Sequence, residues 1–296
     1  MADAIINDAH LPDSRPRGIF ERPITSFALD ARLIEWILAD PANPLNRIAQ
    51  SVPEGASVLD VGAGNGILAR LLKATGRKVI LDAVEPDPAA REFSKTLYRE
   101  MYAFSLEAFL ETALMHPHRY DVIVMADVIE HLANPEPHLT ALKALLNRGG
   151  IIALSTPNIA FASVRLSLLE GRFDYVDSGI LERTHLRFYT KKTLQHLFAT
   201  VNLYPISEYH CLRNPLATEI SIDKSSLSIL LLARINRDAL AFVYQFLFIL
   251  APLPGTKTAI IQLGSRGPYL PLNYVFRNFH GARLMLTRQL RKWFGR

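Results

Sequence analysis

The chain is poor in cysteine: Cys211 is the only one among 296 residues, which excludes an internal disulfide framework and suits a reducing compartment. It lacks an apolar signal core at its start, MADAIINDAHLPDSRPRG, so a secretory leader is not expected and a cytoplasmic location is. It also lacks a run long enough to span a bilayer. ALAFVYQFLFIL, residues 239–250, falls short of the roughly 20 apolar residues a spanning helix needs. Acids are absent after Asp238, where eight Lys and Arg stand, so the last 58 residues carry +8 and the rest −3. Such a tail points to an anionic surface. Its arginines alternate with apolar patches and do not follow a groove with stacking aromatics, which argues against nucleic acid.

What the chain does have is a strand, a glycine loop and a helix in close succession. Val58, Leu59 and Val61 form a short apolar β-branched run. It breaks into Gly62-Ala63-Gly64-Asn65-Gly66, where backbone can take positive φ and lie bare against a ligand. Ile67, Leu68, Leu71 and Leu72 then mark one face of a helix, whose N-terminus faces a pocket. A second apolar run, Val79 to Val84, ends in Glu85, an acid placed to hold the two hydroxyls of a ribose, with Pro86 after it. This is a nucleoside-binding βαβ unit. A dinucleotide fingerprint would need its last glycine at Ile67, and Asp60 would repel a pyrophosphate. Asp60 suits a ligand with an ammonium, and the loop N–H groups suit a carboxylate.

LDVGAGNG, VEPD and YDVIVMADVIEHLANP, in this order and spacing, resemble the first, second and fourth motifs of the class I S-adenosylmethionine-dependent methyltransferases, over about residues 58–233. STPN, GRFDY and GILERTHLRFYT look like a bacterial branch of that superfamily associated with glycan biosynthesis. The resemblance implies S-adenosyl-L-methionine as cofactor and a Rossmann-like fold. Asp60, Gly62, Ala63, Gly64, Asn65, Gly66, Glu85, Pro86 and Asp127 would then form the cofactor site. Ser105 and Leu106 stand where the family contacts adenine, although the usual acid is missing there and Glu107 is an alternative.

Strands and helices alternating through Tyr120–Met125, Pro135–Leu146 and Ile151–Ser155 call for an α/β fold with helices on both faces of a mostly parallel sheet. Seven strands are expected, the last two being Tyr204 to Leu212 and Ser226 to Ala233 as an antiparallel edge hairpin. Residues 1–25 read as a mobile arm and 26–235 as the catalytic domain, with 157–190 as an insertion roofing the acceptor. Residues 236–296 read as a helical, basic and apolar extension. Within it, 239–250 is expected as a buried or dimer-interface helix, and 239–296 as a peripheral contact with the inner face of a membrane.

Methyl transfer needs alignment above all, and a general base where the acceptor is a hydroxyl. His131, just after the fourth strand, and His185, in RTHLRFYT, are the candidates; each could instead only hold backbone. Arg183 and Arg187 could grip an anionic acceptor, with Tyr189 beside them, or simply pair with Asp174, Asp177 or Glu182. Glu182 stands where the family usually shows Asp. No metal is the primary expectation. A similar acid-x-x-acid-His string binds a divalent metal in ubiquinone-pathway and RNA-end methyltransferases, so Asp127, Glu130 and His131, completed by His185, form the alternative. The expected activity is O-methylation of a saccharide, a glycolipid-type acceptor or another small molecule. A nicotinamide oxidoreductase and a non-catalytic membrane-tethering relative are the alternatives.

Overall fold

The computed structural model describes residues 31–113, 118–222, 228–253 and 259–263. The expected arm over 1–25 and most of the basic tail lie outside them. Ala31–Ala39 (α1) and Pro44–Ser51 (α2) precede the sheet; Asn43 caps α2, accepting from the Leu45 N–H at 2.9 Å, and Pro44 takes its first turn. Ser57–Val61 (β1), Ile67–Ala74 (α3) and Ile80–Val84 (β2) make the first βαβ unit. Asp87 caps Pro88–Ser94 (α4), which leads to the three-residue strand Glu100–Tyr102 (β3). Leu106–Ala113 (α5), Tyr120–Ala126 (β4), Pro135–Ala144 (α6) and Leu146–Pro157 (β5) complete the alternation.

Ala162–Leu169 (α7) opens the expected roof, and Lys191–Thr200 (α8) follows it, with Thr190 and Thr193 forming a reciprocal cap. Tyr204–Leu212 (β6) has the expected bounds. The strand expected over 226–233 is instead part of a helix, Ile229–Arg237 (α9), capped by Ser228. Leu232 and Ile235 turn inward while Arg234 and Arg237 stay exposed, a helical spacing that the run of leucines masks.

The helix expected over 239–250 is a short 3₁₀ turn, Ala239–Phe242, followed by a strand, Val243–Ala251 (β7). β7 lies between β5 and β6, antiparallel to both, and Phe246 and Phe248 on it are fully buried. Burying each such side chain contributes about 1.5–3 kcal/mol. A strand covered on both faces reads as unbroken apolar sequence, which is why its period gave no sign of β structure. The expected buried or dimer-interface helix is thus corrected to a buried strand. Ala259–Leu263 (β8) pairs parallel with β6 at the edge, so the sheet continues past the boundary expected at residue 235.

The sheet order is β3-β2-β1-β4-β5-β7-β6-β8: the expected seven-stranded Rossmann-like core with an eighth strand added. Alternate residues serve opposite faces. Leu59, Ile123, Leu154 and Phe248 face α5, α6 and α8, while Val58, Val124, Ala153 and Leu247 face α2 and α3. The order reverses at β1 and β4, where α/β sheets open a crevice at their carboxyl ends.

Candidate active site

A cavity of about 510 Å³ occupies that crevice. On one side the Gly62–Gly66 loop leaves β1 with positive φ at Gly62, Gly64 and Gly66. A Cβ at Gly66 would stand 2.8 Å from Cβ of Ser94, so α4 packs where only glycine fits. The N–H groups of Gly62 and Ala63 donate to the Val84 carbonyl and that of Gly66 to Ala63, while Gly64 N–H donates to Glu85 Oε2 at 2.6 Å. The loop is thus preset, and it offers a ligand shape and close approach more than open donors. Glu85 also accepts from the Asp87 N–H at 2.8 Å, which fixes its carboxylate at the cavity wall.

Of the expected cofactor residues, Gly62, Gly64, Glu85, Pro86, Ser105, Leu106 and Asp127 line this cavity. Ala63, Asn65 and Gly66 do not; they shape the turn. Asp60 lies apart from the cavity wall. Its side chain lies beneath the loop, 3% exposed, accepting from the Tyr98 hydroxyl at 2.7 Å. Burial pushes its carboxyl up to about 7, against the Tyr98 bond and with help from the Glu85 charge. Ser105 opens α5, where its Oγ accepts from the Ala108 N–H, and Glu107 reaches the cavity beside it.

At the end of β4, Asp127 takes φ +56°, an uncommon backbone for a residue with a side chain. Its side chain opens into the cavity but is crowded by protein on its other sides, and that burial raises its pKa. Ser155 Oγ, at 3.0 Å, and Gln245 Nε2 donate to Oδ1 and oppose the rise. The next turn, Ile129–His131, brings Glu130 and His131 to the wall.

His131 and His185 meet there edge to face, ring centroids 4.8 Å apart. Nδ1 of His185 is 3.0 Å from the Ile180 carbonyl, which can only accept, so Nε2 is the basic nitrogen. Thr184 uses its hydroxyl proton on Glu182 Oε1 at 2.6 Å, so its two oxygens, each 3.2 Å from Nδ1 of His131, accept from that nitrogen. Both imidazoles are held with Nδ1 protonated. One donor atom each from Glu130, His131 and His185 lies within 4.8 Å of the others. Oε2 of Glu130 accepts from Thr156 at 3.0 Å, whereas the buried Oε1 has no partner. Burial, then the Asp127 charge, hold this carboxyl well above its usual range. The trio fits a divalent cation in donor type; Glu130, His131 and His185 of the expected alternative come together, and Asp127 is not among the three.

The expected acceptor-binding side chains point elsewhere. Arg183 pairs with Asp177, Arg187 donates to the Ala133 carbonyl, and Tyr189 is buried with its hydroxyl near the Ile129 carbonyl. Arg183 thus braces the roof itself, while Arg187 and Tyr189 tie it to the turn after β4. Sequence reasoning missed Tyr244 and Gln245, which β7 delivers to the wall; their signal was hidden in a run read as helix. Among the described residues, the cavity wall carries five acids, Glu85, Glu107, Asp127, Glu130 and Glu182, and no Lys or Arg.

Residues 33–208 match the family model described as a methyltransferase domain. The chain is 31% identical over 185 residues to a ubiquinone biosynthesis O-methyltransferase of Dinoroseobacter shibae, covering 60% of this chain and 71% of that one. It is 29% identical to the protein of the same name from Cereibacter sphaeroides, with the same coverage. The fold resembles a crystal structure of a SAM-dependent methyltransferase from Archaeoglobus fulgidus, TM-score 0.50 and 19% identity, covering 73% of this chain and 93% of that one. None of these similarities carries a glycan name, and the nicotinamide alternative finds no support in them. With the family model spanning more than half its length, the chain belongs to the methyltransferase-domain family and is a class I S-adenosylmethionine-dependent methyltransferase.

Proposed function

We propose that this enzyme methylates a hydroxyl oxygen, a phenolic one in preference to a saccharide one, on an acceptor without negative charge. The observation that carries this reading is a wall with five acids and, among the described residues, no Lys or Arg around two histidines held for proton acceptance. A phosphate or uronate would meet an acidic wall with no described Lys or Arg to hold it, while a sulfonium donor is favoured. The acceptor oxygen attacks the methyl carbon, the carbon–sulfur bond breaks, and the donor leaves as neutral S-adenosylhomocysteine. The hydroxyl proton passes to Nε2 of His131 or His185. A phenol suits such a base because its pKa of about 10 lies far nearer imidazole than that of an aliphatic alcohol. The names of the curated relatives support an aromatic acceptor.

Glu130, His131 and His185 would hold a divalent cation if one is used, and it would lower the pKa of a bound hydroxyl. Titrating Mg²⁺, Mn²⁺ and Zn²⁺ calorimetrically into wild type and Glu130→Gln tests this; equal heats in both proteins sink it.

One observation favours the saccharide reading. Phe173, Tyr175 and Phe188 cluster with centroids 5.5–6.5 Å apart, Phe188 lies 6.3 Å from His185, and exposed rings can stack on a sugar. S-adenosylhomocysteine release across neutral phenols, catechols, hydroxybenzoates and sugar nucleotides separates the two. The proposal expects turnover of neutral phenolic acceptors and little of carboxylated ones. Faster turnover of sugar nucleotides would overturn it.

A further inference from the structure

The roof carries an unusual share of exposed apolar surface. Among the described residues, Leu168, Leu169, Phe173, Tyr175 and Leu186 make up half of the large apolar side chains left exposed, all within nineteen residues. Leu168 and Leu169 are 51% and 66% exposed. They end α7, which leaves β5 at the same carboxyl edge that opens the active-site cavity.

Beside them lies α9. Leu168, Leu169, Leu231 and Ile235 border a shallow depression of about 640 Å³ whose rim holds Arg165, Arg234 and Arg237. Arg165 is neutralised by Asp238 at 2.6 Å, a pair that ties α7 to the end of α9. Arg234 and Arg237, three residues apart on one helical face, are exposed, and no described acid pairs with them. Exposed leucines flanked by two uncompensated arginines, with an exposed tyrosine and phenylalanine on the same segment, fit a bilayer interface. The apolar side chains enter the acyl boundary, the guanidinium groups meet anionic headgroups, and aromatic rings favour the headgroup level.

We infer that α7, α9 and the outer face of the roof dock the enzyme on an anionic membrane surface, independently of which acceptor it methylates. The contact differs from the one expected for residues 239–296: β7 is buried in the sheet, and residues 264–296 lie outside the described structure.

Co-sedimentation of the full chain with phosphatidylcholine vesicles, with and without phosphatidylglycerol, tests this. Wild type should pellet with phosphatidylglycerol vesicles and release as salt rises. Each basic side chain near an anionic surface contributes roughly fivefold, so Arg234→Gln/Arg237→Gln should weaken partitioning about 25-fold. Leu168→Ser/Leu169→Ser should weaken it at least about tenfold, since each loses buried apolar area in the bilayer. Both variants lie at exposed positions outside the cavity wall, and both should keep wild-type affinity for S-adenosylhomocysteine, which shows that they are folded. Absence of wild-type binding, equal binding to both vesicle types, or unchanged binding of either double variant would overturn the inference.

Discussion

Gln245 donates its side-chain amide to Oδ1 of Asp127, 118 residues earlier in the chain. The bond ties the antiparallel strand β7 to the end of β4, so a segment that reads as an appendage completes the cavity wall. Gln245→Leu removes one of the two side-chain donors that stabilise ionised Asp127. At roughly 1–1.5 kcal/mol for such a bond, S-adenosylhomocysteine affinity should fall about five- to tenfold. The loss should be largest at low pH, where Asp127 protonates more readily. Calorimetry at several pH values checks it, and wild-type affinity throughout would separate Gln245 from cofactor binding.

Replacing His131 or His185 by Asn should lower turnover by about 10²–10⁴-fold, the usual contribution of a positioned acid–base group. Affinity for S-adenosylhomocysteine should stay within about twofold, because neither ring is needed to hold the donor. Single-turnover kinetics beside calorimetry reads both quantities. A variant that loses cofactor and turnover together would show a structural role instead.

Asp60 gives a prediction about stability. Its native carboxyl is pushed from 3.8 up to about 7 by burial, so the folded chain binds this proton more tightly than the unfolded one. The stability it contributes is fully present below about pH 3.8 and is lost as pH climbs through about 7. Asp60→Asn keeps an acceptor for Tyr98 and removes the titration. Its thermal melting temperature should therefore fall less than that of wild type between pH 5 and about 8. Parallel curves for the two proteins would show that Asp60 ionises freely in the native state.

Glu219 latches the roof. Its Oε1 accepts from the Ile180 N–H at 2.9 Å and from the Tyr244 hydroxyl at 3.0 Å, joining the 179–180 turn to β7 across the cavity wall. Burial and the Glu219 charge keep the Tyr244 phenol protonated, so it remains a donor. Glu219→Ala should raise KM for the acceptor several-fold, by about 1 kcal/mol for each bond lost, with cofactor affinity unchanged. Glu219→Gln, which still accepts, should recover most of it. Identical acceptor KM in wild type and Glu219→Ala would place the latch outside the acceptor site.

The sequence is most legible where the signal is local. The Gly62–Gly66 turn, the acid at the end of β2, and the caps at Asp87 and Thr190 follow from steric and hydrogen-bonding demands within a few residues. The histidines could be nominated because they follow a buried strand and stand in a charged, aromatic segment. Side-chain direction is another matter. Asp60 meets the Tyr98 hydroxyl beneath the glycine loop, Arg183 pairs with Asp177 within the roof, and Arg187 reaches the Ala133 carbonyl after β4, because burial and distant partners decide orientation. Strand β7 was illegible for a related reason. A fully buried strand shows no alternation, and its identity comes from β5 and β6 on either side, not from its own period.

The measurement that tests the account most directly is calorimetric titration of S-adenosylhomocysteine into wild type and Glu85→Ala. Glu85 holds the glycine loop through Gly64 and stands at the cavity wall where the ribose hydroxyls would lie. The account predicts one site in wild type with a Kd in the micromolar range, and a loss of about tenfold or more in the variant, as expected when a charged acceptor of two hydrogen bonds is removed. Equal affinity in the two proteins, or no binding by wild type, would contradict it.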